Sequence, residues 1–204
     1  MSSAPLVPGP LYGLRTWRVV IEDGRERLSA PQRGTPWAQG RGWVEATCAE
    51  DHAAPAVGCR CGIHAWHPRR ASARRILRSR FDLPGIVEAD GAVELHEEGF
   101  RAQRARPYAF VRLPGRNPYA IERLAAAYGA EILDLRRPAE LLDVCRERRL
   151  GLQPPIVEQL IGPEVLAARH REQARRRRHD ALRVAAALLV VAIVCALAVV
   201  LSQP

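Results

Sequence analysis

Three of the five cysteines and three of the six histidines fall between Cys48 and His67. Within that stretch, Cys48-x3-His52-x6-Cys59-x-Cys61 offers three thiols and one imidazole. A tetrahedral zinc ion is held by this kind of donor set. Pro55, Gly58 and Gly62 supply the turns needed to fold the four side chains inward, and His64 and His67 stand as alternative nitrogen ligands to His52. The narrow Cys-x-Cys spacing, one residue shorter than the usual knuckle, leaves other chemistries open: an iron-sulfur cluster, buried free thiols, or a redox dithiol at Cys59 and Cys61.

A zinc ion bound by all four ligands is structural, whereas a catalytic one keeps three protein ligands and a water, with a carboxylate as base. Glu50 and Asp51 are the nearest candidates for that base. No HExxH, phosphate loop, Ser-His-Asp order or His-x-Glu deaminase signature is legible. The leading expectation is therefore a structural zinc in a binding or scaffold module. A zinc-dependent hydrolytic enzyme and a cysteine-based redox or iron-sulfur sensor are the alternatives.

The 204 residues carry a net charge of +9, with every basic side chain an arginine, a usage that fits a GC-rich bacterial genome. Over half of that excess lies between Arg169 and Arg183, notably at Arg175, Arg176, Arg177, Arg178 and Arg183. Immediately after it, residues 184–201 read VAAALLVVAIVCALAVVL, without a charge. As a helix this run is about 27 Å long, close to the thickness of a bilayer core. The expectation is a single-pass tail anchor in a bacterial inner or plasma membrane, with the arginines on anionic headgroups and the amino-terminal domain in the cytoplasm. A reducing cytoplasm favours metal binding over disulfides for the cysteine cluster. Because the basic charge is mostly beside the apolar run, nucleic acid is not the expected partner; a protein partner stays unidentified.

The elements that must position the cluster read as α+β, rich in short strands forming a small twisted sheet or partial barrel, with a few helices. Residues 1–10 are a loose lead-in, 11–150 the domain, 151–183 a linker and basic helix, 184–201 the span and 202–204 a tail. Leu14–Ile21, the Asp23-Gly24 turn and Arg25–Ser29 predict a hairpin. Trp43–Cys48 is a short strand leading into the cluster, and Arg69–Arg80 a basic helix with Ile76 and Leu77 inward. Pro84-Gly85 reads as a break, and Asp90-Gly91 as a turn between two strands. Another one or two strands lie in Phe100–Arg112. Helices are expected over Pro118–Tyr128, ending at Gly129, and over Pro138–Arg149, with a strand at Ala130–Leu135 between them. Cys145 falls at helical spacing among leucines, as a small apolar core residue does.

Trp37-x2-Gly40, Cys48, His52-x2-Pro55, Cys59-Arg-Cys61-Gly-Ile-His64-Ala, Gly91-x-Val93, Gly99-Phe-Arg101-Ala and Tyr128-Gly129 together resemble a family of actinobacterial proteins without an established activity. That family reads Cys…His-x2-Pro…Cys-x-Cys-Gly-Ile-Tyr-Ala, so His64 stands where it usually has tyrosine, and Asp90 where it usually has tryptophan. The resemblance covers roughly Leu14 to Leu135. It implies a common domain and no particular reaction.

Overall fold

The computed structural model describes residues 10–31, 36–56, 58–78, 82–115 and 120–165, with isolated helical positions at 167, 171, 174, 175, 178 and 182. The chain divides into two units, Met1–Leu160 and Ile161–Pro204. The first is α+β and β-rich. Its strands are β1 (Leu11–Glu22), β2 (Arg25–Ser29), β3 (Val44–Glu45), β4 (Ile63–Trp66), β5 (Asp82–Leu95), β6 (Gly99–Arg112) and β7 (Glu131–Asp134). Its helices are α1 (Arg70–Ile76), α2 (Ile121–Tyr128) and α3 (Glu140–Glu147), followed by α4 (Pro154–Ile161) with Val157 fully buried.

The hairpin forms where Asp-Gly demands it. Asp23 and Gly24 both take positive φ, 51° and 71°, and Glu22 pairs with Arg25 across the turn. Such a turn matches the right-handed twist of the strands it joins.

Two expected breaks are instead absorbed into long strands. Pro84-Gly85 does not interrupt the chain, because both residues lie inside β5. Pro84 precedes the first partner in β6, at Gly85↔Phe110, so it occupies a place where only β1 is paired alongside. A strand tolerates proline in that setting. Gly85 is required by close approach, since a Cβ there would lie 2.2 Å from the Ala109 carbonyl oxygen and 2.9 Å from the Trp17 ring. Asp90-Gly91 likewise is no turn between strands. Between Asp90↔Arg104 and Val93↔Ala102, β5 advances three residues while β6 advances two, which is a bulge. The Gln103 side-chain oxygen accepts from the freed Ala92 N–H at 3.1 Å.

Each of the long strands is paired on both edges. β5 joins β1 to β6; β4 joins β6 along Ile63–Trp66 and meets β1 at Leu14↔Trp66. The pairings β1–β5–β6–β4–β1 thus close a ring, while β2 extends β1, and β3 and β7 extend β6. β7 is the parallel member, so the sheet is mixed.

Apolar residues fill both faces. Leu14, Ile86, Ala109 and Val111 pack against Ile76 and Leu77 at the end of α1 and against Leu141 and Cys145 of α3. The expected inward pair on the basic helix is thus in place. Cys145 is buried, and burial pushes its thiol up to about 11, as befits a core residue. On the other face the Trp17 ring meets Trp37 and Phe110 edge to face, each at 5.6 Å. There the buried Tyr128 hydroxyl, from α2, accepts from Leu28 N–H and donates to the Trp37 carbonyl.

No helix among the described residues is long and apolar enough to cross a membrane. The apolar run 184–201 lies outside the described residues, as do Arg176, Arg177 and Arg183. Arg175 and Arg178 occupy exposed helical positions.

Replacing Gly85 by alanine drives a methyl group into the β6 backbone. A loss of about 3 kcal/mol in folding stability is expected, read as a lowered thermal midpoint.

Candidate metal centre

The four ligands lie in the one connection between β3 and β4, whose two ends are held on one edge of β6. β4 pairs there with residues 99–102, carrying the Cys59–Cys61 knuckle just before it, and β3 pairs with Arg104 and Ala105, carrying Cys48 just after it. The Ala46 N–H donates to the Gln103 carbonyl at 2.7 Å, continuing the β3 ladder toward Cys48. Strand pairing therefore brings Cys48 to the knuckle across an eleven-residue separation. A loop with Asp51 at φ 43° returns the chain through His52.

One ligand atom from each of Cys48, His52, Cys59 and Cys61 lies within 4.8 Å of the others. Cys48 Sγ is 3.6 Å from Cys59 Sγ and 3.3 Å from His52 Nε2. With metal bonds of about 2.3 Å to sulfur and about 2.0 Å to nitrogen, a tetrahedral site has S···S edges of about 3.8 Å and S···N edges of about 3.5 Å. The spacing fits a metal ion, and the three cysteines are free thiols.

Local hydrogen bonds prepare the donors. His52 Nδ1 lies 3.1 Å from the Ala53 carbonyl, an arrangement that assigns the proton to Nδ1 and leaves the Nε2 lone pair toward Cys48. The Ala53 carbonyl also raises the affinity of the His52 ring for a second proton, with the neighbouring Cys59 adding to it. The Glu50 N–H donates to Cys48 Sγ at 3.5 Å. The Cys61 backbone N–H, with the side chains of Cys48 and His52, outweighs burial and holds Cys59 down to about 7. Burial raises Cys61 instead. Gly62, at φ 109°, follows the last ligand; a Cβ there would sit 3.1 Å from Arg101 Cβ and 3.2 Å from Pro55 Cβ. Only glycine turns the chain in that space.

Beneath the knuckle lies a buried arginine that the reading of the sequence gave no role. Arg101 Nη1 donates to the carbonyls of Cys59 and Cys61, the latter at 3.1 Å, while Nη2 donates to Glu94 and Nε reaches His96 at 3.3 Å. One guanidinium thus fixes both ends of Cys-x-Cys to the sheet. A second buried arginine, Arg15, donates to the His64 carbonyl and lies 5.1 Å from the Trp37 ring centre. Burial lowers it to about 10, so it stays charged at neutral pH. The available signal was positional: Arg15 shares a strand face with Trp17 in β1, and Arg101 is flanked by Phe100 and Ala102 in β6. An arginine at such a place needs a buried acceptor.

The alternative nitrogen ligands are elsewhere. His64 is exposed, with Nε2 3.1 Å from the Arg60 carbonyl. His67 is fully buried, with Nε2 3.0 Å from the His96 carbonyl. Glu50 lies 3.8 Å from His52 Nε2 but its side chain is 74% exposed, so no apolar pocket tunes it as a base. Beside the centre opens a cleft of about 420 Å³, lined by Glu45, Thr47, Cys48, Asp51, His52 and Gln103 among others.

Substituting Arg101 by methionine keeps all four ligands and removes the donors that hold the knuckle. Metal affinity is expected to fall about 10- to 100-fold, measured by competition with a chromophoric chelator. No family model matches the chain, and no curated protein or solved structure does either, so what the centre can do is argued from its own geometry.

Proposed function

We propose that the first unit is a zinc-stabilised binding or scaffold module, held at the cytoplasmic face of a bacterial membrane by the apolar run 184–201. The observation that carries the zinc reading is the convergence of three thiols and one imidazole within 4.8 Å. Three sulfurs favour a soft or borderline ion, and a Cys3His set closes the tetrahedron with protein atoms. No position is left for a substrate or an activated water, which supports a structural ion over hydrolysis.

The membrane part rests on the sequence of 169–201. An uncharged run preceded by clustered arginines supports insertion with the basic side inward, Arg175, Arg176, Arg177, Arg178 and Arg183 meeting anionic headgroups. Kinship with the actinobacterial pattern is part of the same proposal. Its shared residues Cys48, His52, Pro55, Cys59, Cys61 and Gly62 belong to the centre, and its Gly-x-Arg-Ala segment contains Arg101, which supports the knuckle.

Full chain purified under reducing conditions should carry about one zinc per chain, and a strong chelator should lower its thermal midpoint, with zinc restoring it. Metal-free protein of unchanged stability with intact thiols would refute the zinc reading. Separately, the full chain should stay in the membrane fraction after alkaline carbonate washing, whereas a chain ending before Val184 should be released.

A further inference from the structure

The centre holds two kinds of thiol. Cys61 is 2% exposed, and its carbonyl is pinned by Arg101. Cys48 and Cys59 are half-buried, and Cys48 lines the cleft, which is wide enough to admit a small oxidant. Their sulfurs stand 3.6 Å apart, against about 2.05 Å in a disulfide. Closing that gap requires a shift of about 1.5 Å. Cys48 is free to supply it, because it lies beyond the last β3 bond to β6, Ala46 N–H to the Gln103 carbonyl. A bond between Cys59 and Cys61 would instead close over one residue whose two flanking carbonyls are both held by the Arg101 guanidinium. The backbone there cannot turn without breaking those bonds.

We infer that Cys48 and Cys59 form a reversible disulfide when a peroxide enters the cleft, opening the metal centre. The inference rests on the metal reading for its consequence, though not for the bond itself. The Cys48 thiolate attacks one oxygen of hydrogen peroxide; an S–O bond forms, the O–O bond breaks and hydroxide leaves. The Cys59 thiolate then attacks that sulfenic sulfur, forming S–S and breaking S–O, and a second hydroxide leaves. Two thiolates, one peroxide and two protons from solvent give one disulfide and two waters. The sulfurs are oxidised and the peroxide is reduced. The centre is left with His52 and Cys61, two of its four ligands, and lets its ion go.

Trypsin distinguishes the pairings directly. Cleavage after Arg41, Arg60 and Arg69 places Cys48 and Cys59 together in peptide 42–60 and Cys61 alone in 61–69. The full chain, purified under reducing conditions and assayed for metal, is treated with hydrogen peroxide, alkylated and digested without reduction. Expected are a peptide 42–60 lighter by two hydrogens, an alkylated 61–69, release of about one metal ion per disulfide, and recovery of both on adding dithiothreitol and metal. Peptides 42–60 and 61–69 joined to each other, or oxygen added without loss of hydrogen, would overturn the assignment. So would an unchanged peptide with the metal still bound, a result that leaves the zinc reading standing. A chain that holds no metal before treatment yet forms the light peptide sinks the zinc reading and keeps the disulfide.

Discussion

The centre depends on what one edge of β6 can hold. Over Gly99–Ala102 that edge pairs with β4, and over Arg104–Ala105 with β3, so the end of β3 and the start of β4, joined by the ligand loop, are held next to each other along one strand. Neither strand is long enough to be stable alone. The single loop that joins them completes both, and the four donors complete the loop. Arg101, on β6 itself, ties the arrangement to the sheet by holding the knuckle carbonyls and a carboxylate at once. A buried guanidinium is costly unless its donors are used, and here they are, so the same side chain explains its own burial and the position of the ligands.

This division of labour separates architecture from chemistry. A domain with two- and four-residue strands among the seven of its described residues gains from a crosslink where its strands are short, and the donors stand at two such strands. The remainder of the ring is held differently. β5 and β6 are fourteen residues each, bend through bulges and bury Ile86, Val87, Ala89, Ala105 and Phe110 completely. Further along the same edge of β6, β7 is tied by ion pairs, Asp134 with Arg112 and Glu131 with Arg148, and those arginines hold both carboxyls below the usual range. These exposed pairs set register more than stability. The metal donors thus brace the short strands β3 and β4, while the long strands β5 and β6 rest on apolar burial.

Much of the local structure was legible because it follows from short-range rules. Asp23-Gly24 made a hairpin, Gly129 ended α2, and Ile76, Leu77 and Cys145 faced inward by periodicity. Pro84-Gly85 and Asp90-Gly91 misled for a common reason. Each is a turn signal only when neighbouring strands leave the backbone free; here β1 holds Pro84-Gly85 and β6 holds Gly85 and Asp90, which turns one into a close approach and the other into a bulge.

The donor types and their order along the chain, Cys48, His52, Cys59 and Cys61, are properties of the sequence, since thiolate and imidazole bind metal wherever they meet. Which histidine joins them is not. His52, His64 and His67 are chemically equal on paper, and the fold alone turns His64 to solvent and buries His67 against a backbone carbonyl. The role of Arg101 was likewise decided only in three dimensions. The knuckle carbonyls it holds lie about forty residues away in the chain, and β4 pairing is what brings them within reach.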